Sequence, residues 1–384
     1  MRFRVMGLML LSVLVCAARA QSVKWTSQVT GTELTGTVEG ASSDKPVPTV
    51  VYLKNLSIPR IGQEPDESIV GDLVKSGCLV LVLDYQHDAK AISPLINLDM
   101  LKLRTDIADL KHKTLLTNYT VDVNHLYILC EGCRVKRDVE FARDGQRVLG
   151  MDIIYPSRPS RKVPMLMEIT CDNKDRFGSF SLLFCQDALV EGAAAAGFAA
   201  AMVDHPVPPP YKGIDDPMVQ SIERMEAAVK TLRAQANELG TSEMIGAIGF
   251  SRGGPFAAVL AAKGDVNAAL VHGNRYDYLD LLRKDPMIPR FEKVWGKRDE
   301  KKDKWAEHGA SIYLTKNSTP MFLNTSNAES PEYRDGLAKF DKRLTELGIE
   351  HVYQVDQDDR GHRVSTEPKT LEKIYDFFAK HLEK

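Results

Sequence analysis

The sequence predicts an α/β protein: a mostly parallel sheet with helices on both faces, preceded by a smaller α/β unit of the same design. Three observations predict it. Buried-strand runs alternate with helical segments along most of the 384 residues, the pattern of a parallel sheet covered on both sides. The alternation passes through one order twice. The composition, 43% hydrophobic and 27% charged, is that of a globular chain and excludes wholesale disorder. The length leaves room for two or three domains. A formal charge of −2 offers no attraction for nucleic acid or an anionic membrane as partner.

Residues 1–20, MRFRVMGLMLLSVLVCAARA, read as a secretory signal peptide. Arg2 and Arg4 make a positive start, Met6 to Val15 is apolar, and Ala18-Arg19-Ala20 supplies a cleavage site after Ala20. The run is short for a bilayer span, and no later stretch reaches transmembrane length. The expected location is secreted or periplasmic. A lipoprotein reading with Cys16 as anchor is disfavoured by the bulky Val15 before it.

Five cysteines then remain: Cys78, Cys130, Cys133, Cys171 and Cys185. An exported chain can bridge some of them, but five cannot all pair. Cys130-Glu-Gly-Cys133 admits a redox or zinc reading. Zinc needs four ligands, and no second such motif exists. Small side chains at a strand end are the alternative.

In the first pass, Pro48 to Leu53 is a buried strand, Cys78 to Asp84 a second, about Leu98 to Leu116 a helix, and Leu126 to Leu129 a third strand. The second pass repeats this order. Val163 to Ile169 is a strand, Phe198 to Asp204 the next, then a helix, then Met244 to Ile248. Asp84 to Leu129 is 45 positions and Asp204 to Ile248 is 44, as two copies of one β-α-β unit require. The helix of the second copy is capped by Asp216, accepts Pro217 in its first turn and stops at Gly240. Met218, Ile222, Met225, Val229, Leu232, Ala236 and Leu239 form its apolar face.

After Ile248 comes Gly249-Phe250-Ser251-Arg252-Gly253-Gly254, then a small-residue helix from Pro255 to Lys263. A serine nucleophile must project from a tight turn, and flanking glycines let strand and helix approach closely. The backbone N–H of Arg252 is placed to hold a developing oxyanion.

A serine needs a base, and the base an orienting acid. His362 lies in the loop between the last strand, Glu350 to Val355, and the last helix, which starts at Pro368 and carries Leu371, Ile374, Phe378 and Leu382 on one face. His351 and His381 lie in the strand and the helix. Glu329 follows the buried strand Pro320 to Leu323 and precedes a helix near Glu332, in the loop where a triad acid belongs. Asp277, after the strand Ala268 to His272, is the competing acid. Asp356, Asp358 and Asp359 stand too near His362 in the chain to rank first.

From about Arg134 onward the chain resembles the α/β-hydrolase superfamily, and most of all exported bacterial esterases related to acetyl-xylan, feruloyl and dienelactone-type hydrolases. The resemblance rests on Asp144 to Pro156, on Gly249 to Gly254, and on the order Ser251, Glu329, His362. The Ser-Arg pair is also similar to that of glucuronoyl esterases, which carry a Lys where Pro255 stands here. Many such esterases have a His-Gly-Gly-type loop for the second oxyanion donor. Here the strand runs into Thr170-Cys171-Asp172-Asn173, so a backbone N–H of Thr170 or Cys171 is the candidate. The resemblance implies an exported serine hydrolase cleaving a carboxylic ester through an acyl-enzyme, with an acetyl or feruloyl ester on a small molecule or polysaccharide as substrate. A serine peptidase of the same fold and an inactive module that binds glycan or protein are the alternatives.

The first copy has Gly132 where Ser251 aligns, and it runs into the second before any acid or His loop. Residues 21–134 are therefore expected to be a non-catalytic half-hydrolase and 135–384 the catalytic domain. A nucleophile in the Cys130–Cys133 turn is the rival reading. Between Tyr278 and Pro320 lies an insertion with Trp295, Trp305 and a charge run from Gly296 to Lys304. Tyr276, Trp295 and Trp305 are candidates for stacking on substrate, with packing of the lid to the body the first reading of Trp295 and of Trp305. Pro206 to Pro210 is a stiff loop near the strand ends where ligands bind. His205 and His272 read as core residues, so no metal or other cofactor is expected.

Overall fold

The structure, a computed structural model, describes residues 21–26, 33–40, 47–54, 66–84, 121–169, 193, 196–206, 217–359, 361–362 and 368–383. The signal peptide, the helix expected at 98–116, Thr170, Cys171, Cys185, residues 207–210 of the proline-rich loop and Asp216 lie outside the described residues.

The strands form two sheets. The first holds β1 (Gln21–Thr26), β2 (Glu33–Glu39), β3 (Val47–Lys54), β4 (Leu79–Asp84) and β5 (Val121–Cys130) in the order β1-β2-β4-β3-β5. The second holds β6 (Cys133–Asp144), β7 (Arg147–Pro156), β8 (Val163–Ile169), β9 (Ala199–Val203), β10 (Thr241–Gly249), β11 (Ala268–His272), β12 (Met321–Ser326) and β13 (His351–Asp356). Its order is β6-β7-β9-β8-β10-β11-β12-β13. In each sheet the first two pairings are antiparallel and the next two parallel. The first sheet thus repeats, strand for strand, the order and sense of the first five strands of the second. The register agrees as well. Leu53 faces Cys130 in one sheet and Ile169 faces Gly249 in the other. Two residues beyond each pair the chain turns with positive φ, at Gly132 (80°) and Ser251 (50°).

Strands β8 and β9 are buried along their whole length, as continuous apolar runs covered on both faces must be. Alternate residues serve opposite faces. Met165 and Met167 join the core beneath helices α2 (Pro217–Leu239) and α3 (Gly253–Lys263). Leu166 joins a second core with Leu371, Ile374 and Phe378 of the C-terminal helix Pro368–Leu382. Helix α2 buries Ile222, Met225, Val229, Leu232, Ala236 and Leu239 and ends at Gly240, whose φ is 66°. In the first sheet, α1 (Ser68–Lys75) buries Ile69 and Leu73.

Strands β1 and β2 and the β6–β7 hairpin carry no sequence signal of the kind found elsewhere. Strand β6 reads CRVKRDVEFARD, and its pairing with β7 shifts register twice, between Lys136 and Val139 and between Glu140 and Ala142. Each bulge throws the in–out alternation out of phase, so no period-2 pattern survives. Asp138, inside the first bulge, has a φ of 57°.

The two sheets share one core. Val50, Tyr52, Val80, Tyr127 and Leu129 of the first belong to the cluster that holds Leu149, Met151 and Ile153 of the second. Polar ties reinforce it. The Tyr127 hydroxyl donates to Asp152 Oδ2 at 2.6 Å, and Asp152 Oδ1 accepts the Asp138 N–H at 2.9 Å. Arg134 reaches Asp66 and Asp72 of the α1 segment, each at 3.0 Å. Among the described residues no helix is long and apolar enough to cross a membrane.

Candidate active site

Strand β10 ends in five buried residues and turns sharply into α3. Gly253 N–H bonds to Phe250 O at 2.7 Å and Gly254 N–H to Ser251 O at 3.1 Å, closing the turn. The glycines are there for close approach. A Cβ on Gly249 would stand 2.5 Å from the Gly253 carbonyl oxygen and 2.6 Å from Ala257 Cβ, and one on Gly253 would collide with the Ile169 carbonyl. The helix therefore packs onto the strands only with glycine at both positions. Ser251 takes the strained conformation at the apex, one of two non-glycine residues with positive φ among the described residues.

Two neighbouring parallel strands, β12 and β13, bring up the partners. Glu329 lies in the loop between β12 and α6 (Pro331–Leu347), and His362 in the loop between β13 and the C-terminal helix. His362 Nε2 is 2.9 Å from Ser251 Oγ, and His362 Nδ1 is 2.5 Å from Glu329 Oε2. The Glu329 side chain is buried, and its other oxygen accepts the Ser330 N–H at 2.7 Å, so the carboxylate is aimed. Asp277 is not at His362. Its Oδ1 accepts the N–H groups of Leu279 and Asp280 at 3.0 and 3.3 Å, an Asx-type role within its own loop. Asp356 is engaged by Asn324 and Gln354.

Further side chains surround this constellation that motif reading misses. The Tyr333 ring, in the first turn of α6, is 4.7 Å from the His362 ring, and Phe250 is 5.1 Å from it on another side. The Arg275 guanidinium lies over Tyr333 at 4.9 Å and is held by Asp285 through bonds of 2.6 and 2.8 Å. Burial works against the Arg275 charge, but the Asp285 carboxylate outweighs it and keeps the arginine firmly cationic. The Asn274 amide donates to the Ser251 carbonyl. His272, the last residue of β11, packs its ring 4.7 Å from Phe250 and 5.9 Å from His362. Their common signal is position: Asn274 and Arg275 follow the C-terminal end of β11, where ligands gather in open α/β sheets.

Tyr276, Trp295 and Trp305 are buried in packing, which corrects their candidacy for stacking on substrate and agrees with the packing reading of the two tryptophans. Tyr276 is fully buried, donates to the His272 carbonyl at 2.7 Å and stacks on Phe340. Trp295 and Trp305 are 6% and 0% exposed. They close a small core with Tyr278, Leu281 and Phe291, and Trp305 Nε1 donates to the Gly296 carbonyl at 2.9 Å. The insertion contains the short helices α4 (Ile288–Trp295) and α5 (Lys302–Glu307) and a 3-10 turn, Ala310–Tyr313, so it turns its large rings inward to bury enough apolar area to hold itself together.

For the oxyanion, the N–H of Arg252 stands at the start of α3, while Thr170 and Cys171 lie outside the described residues. In the first sheet the counterpart turn has Gly132 at its apex, and the Gly132 N–H donates to the Tyr52 hydroxyl at 2.9 Å. Cys78, Cys130 and Cys133 are buried and unbridged. Burial pushes the Cys133 thiol well above its ordinary pKa, and nearby Cys130 adds to the shift, which is the reverse of what a thiolate nucleophile needs.

The strand order, the serine turn after β10 and the loops after β12 and β13 together define an α/β-hydrolase fold. Solved structures agree. A bifunctional GH43-CE protein of Bacteroides eggerthii superposes with a TM-score of 0.52 at 20% identity, over 64% of this chain and 38% of that one. A truncated carbohydrate esterase from gut microbiota gives 0.52 at 15% identity, over 65% of this chain and 96% of that one. The acylaminoacyl peptidase of Pyrococcus horikoshii gives 0.53 at 18% identity, over 66% and 42%. This chain thus spans less than half the length of the first and third. At such identities the likeness is one of fold. No family model matches the chain, and no curated protein matches it.

Proposed function

We propose that this protein is an exported serine hydrolase that cleaves carboxylic esters, with carbohydrate esters as its substrate class. One observation carries the reading: a single imidazole spans Ser251 Oγ and the buried Glu329 carboxylate, at 2.9 and 2.5 Å. In this reading His362 Nε2 takes the Ser251 proton as Oγ attacks the ester carbonyl carbon. Glu329 holds the ring with Nδ1–H toward itself. The N–H of Arg252, with one from Thr170 or Cys171, receives the negative oxygen. His362 returns its proton to the departing alcohol, leaving an acyl-enzyme. Water, deprotonated by the same imidazole, then releases the acid and restores Ser251.

The carbohydrate-ester assignment is supported by neighbours of the same fold described as a carbohydrate esterase and a bifunctional GH43-CE protein. The peptidase of that fold favours an amide-cleaving second reading. Export follows from residues 1–20. Residues 21–134 serve as a non-catalytic half-hydrolase: they share the strand order of the second sheet but carry Gly132 where it has Ser251.

Fluorophosphonate labelling tests the chemistry. Wild-type protein is expected to label, to hydrolyse p-nitrophenyl acetate, and to lose both in Ser251→Ala. Labelling that persists in a folded Ser251→Ala protein would sink the assignment. Acetylated and feruloylated oligosaccharides compared with N-acylated peptides separate ester from amide specificity, and no turnover of any of them would leave a binding module.

A further inference from the structure

We infer that His272, Glu329 and His362 form a binding site for a zinc-like transition-metal ion, and that filling it switches the hydrolase off. The regulatory half of this inference rests on the catalytic reading of Ser251, His362 and Glu329. Strands β11, β12 and β13 are adjacent and parallel, so their C-terminal ends deliver His272, Glu329 and His362 to one edge of the sheet. One potential ligand atom from each lies within 4.8 Å of the other two. Zinc bonds of about 2.0–2.2 Å in a tetrahedral site place ligand atoms roughly 3.3–3.6 Å apart. No pair need close by more than about 1.5 Å, the 2.5 Å contact of His362 Nδ1 with Glu329 opens where Nδ1 is the ligand, and His362, half-buried on a loop, is the member able to move. The other two are held. His272 is the last paired residue of β11 and its carbonyl is fixed by Tyr276. Glu329 is anchored through Ser330.

The donor set chooses the ion. Two imidazoles and one carboxylate suit zinc and its neighbours and leave a fourth position for water or Ser251. Magnesium and calcium, which want oxygen ligands, do not fit two imidazoles.

Inhibition follows from the two nitrogens of one ring. A metal on His362 Nε2 takes the lone pair that must accept the Ser251 proton. A metal on Nδ1 forces the ring proton onto Nε2, and that nitrogen again cannot accept it. Either geometry also breaks the contact between His362 Nδ1 and Glu329. A metal that supported catalysis would need the base left intact, which this site does not allow.

The test separates the site from the catalytic reading. Zinc chloride is titrated by calorimetry into full-length Ser251→Ala protein, where turnover plays no part. One zinc per chain is expected, with affinity about tenfold or more weaker once His272→Gln is added. In wild type, p-nitrophenyl acetate hydrolysis is expected to fall over the zinc concentrations that bind, to recover with EDTA, and to ignore magnesium. Binding unchanged by His272→Gln overturns the site. Turnover that zinc leaves untouched or raises overturns the switch. Should wild type show no turnover at all, the function above fails while calorimetry still decides the site. Should His272→Gln not fold, the isosteric Glu329→Gln in the Ser251→Ala background replaces it, and undiminished zinc binding there overturns the site.

Discussion

Ser251 holds a φ of 50°, a region that a side chain bearing a Cβ enters at a cost of about 1–2 kcal/mol. The turn that closes over it, with its glycines packed against Ile169 and Ala257, sustains that strain and leaves Oγ pointing at His362. Two variants that both lack the hydroxyl isolate the backbone term: Ser251→Gly is expected to exceed Ser251→Ala in urea-unfolding stability by about 1 kcal/mol. Equal stabilities would mean that the apex is not strained. Gly273 makes a different demand. A Cβ there would stand 2.8 Å from Glu329 Oε2, the oxygen that faces His362. Gly273→Ala is thus expected to displace the acid and lower kcat by on the order of a hundredfold with the melting temperature little changed. Unaltered ester turnover would show that Glu329 tolerates the shift. Ser251 and His362 are legible in sequence because each occupies a loop whose place follows from the strand order, and Glu329 is legible as one of two candidate acids beside Asp277. Tyr333, Asn274 and Arg275 are not, since no local pattern marks a ring that meets His362 from the next helix.

Among the elements, those with continuous apolar runs are read best. Strands β8 to β12 and helices α2 and α6 fall within a few residues of their expected limits, because burial on both faces, or along one helical stripe, leaves a periodic mark. Strand β6 leaves none, because its bulges break the alternation. It nonetheless carries much of the junction between the sheets. Asp152 of β7 accepts both the Tyr127 hydroxyl of β5 and the bulged Asp138 N–H, and Tyr127 and Asp152 are both buried. Tyr127→Phe removes a bond to a charged acceptor and is expected to cost roughly 1.5–3 kcal/mol in urea unfolding. A loss below about 0.5 kcal/mol would place the energy of the junction in its apolar contacts instead.

At the scale of the whole molecule, the shared apolar core and the polar ties between sheets predict that the two unfold together, and that acid loosens their tie. Burial by itself raises the Asp66 carboxyl, but hydrogen bonds from Ser68 and Arg134 outweigh it and hold the group well below the ordinary carboxylate range. A depressed folded pKa contributes stability that is fully present above the unfolded value, near pH 4, and is lost as pH falls through the folded one. Asp66→Asn is therefore expected to be less stable than wild type at neutral pH, and the gap to narrow once pH drops below about 4. Urea midpoints at a series of pH values check this. A gap that stays constant into the acid range would rule Asp66 out as the source.

Periodicity and loop order were enough to establish two passes of an α/β pattern, the serine turn, and the acid-then-histidine succession after it. Those features are local, or follow from connections that keep neighbouring strands in chain order. Which carboxylate meets His362 was decided by three dimensions: Glu329 and Asp277 both follow buried strands, and only the sheet's register and the loop after β12 bring Glu329 to 2.5 Å. The inward turn of Trp295 and Trp305 and the approach of His272 and Tyr333 to His362 were decided there too. Each depends on contacts between residues far apart in the chain, and no local pattern encodes a partner it does not adjoin.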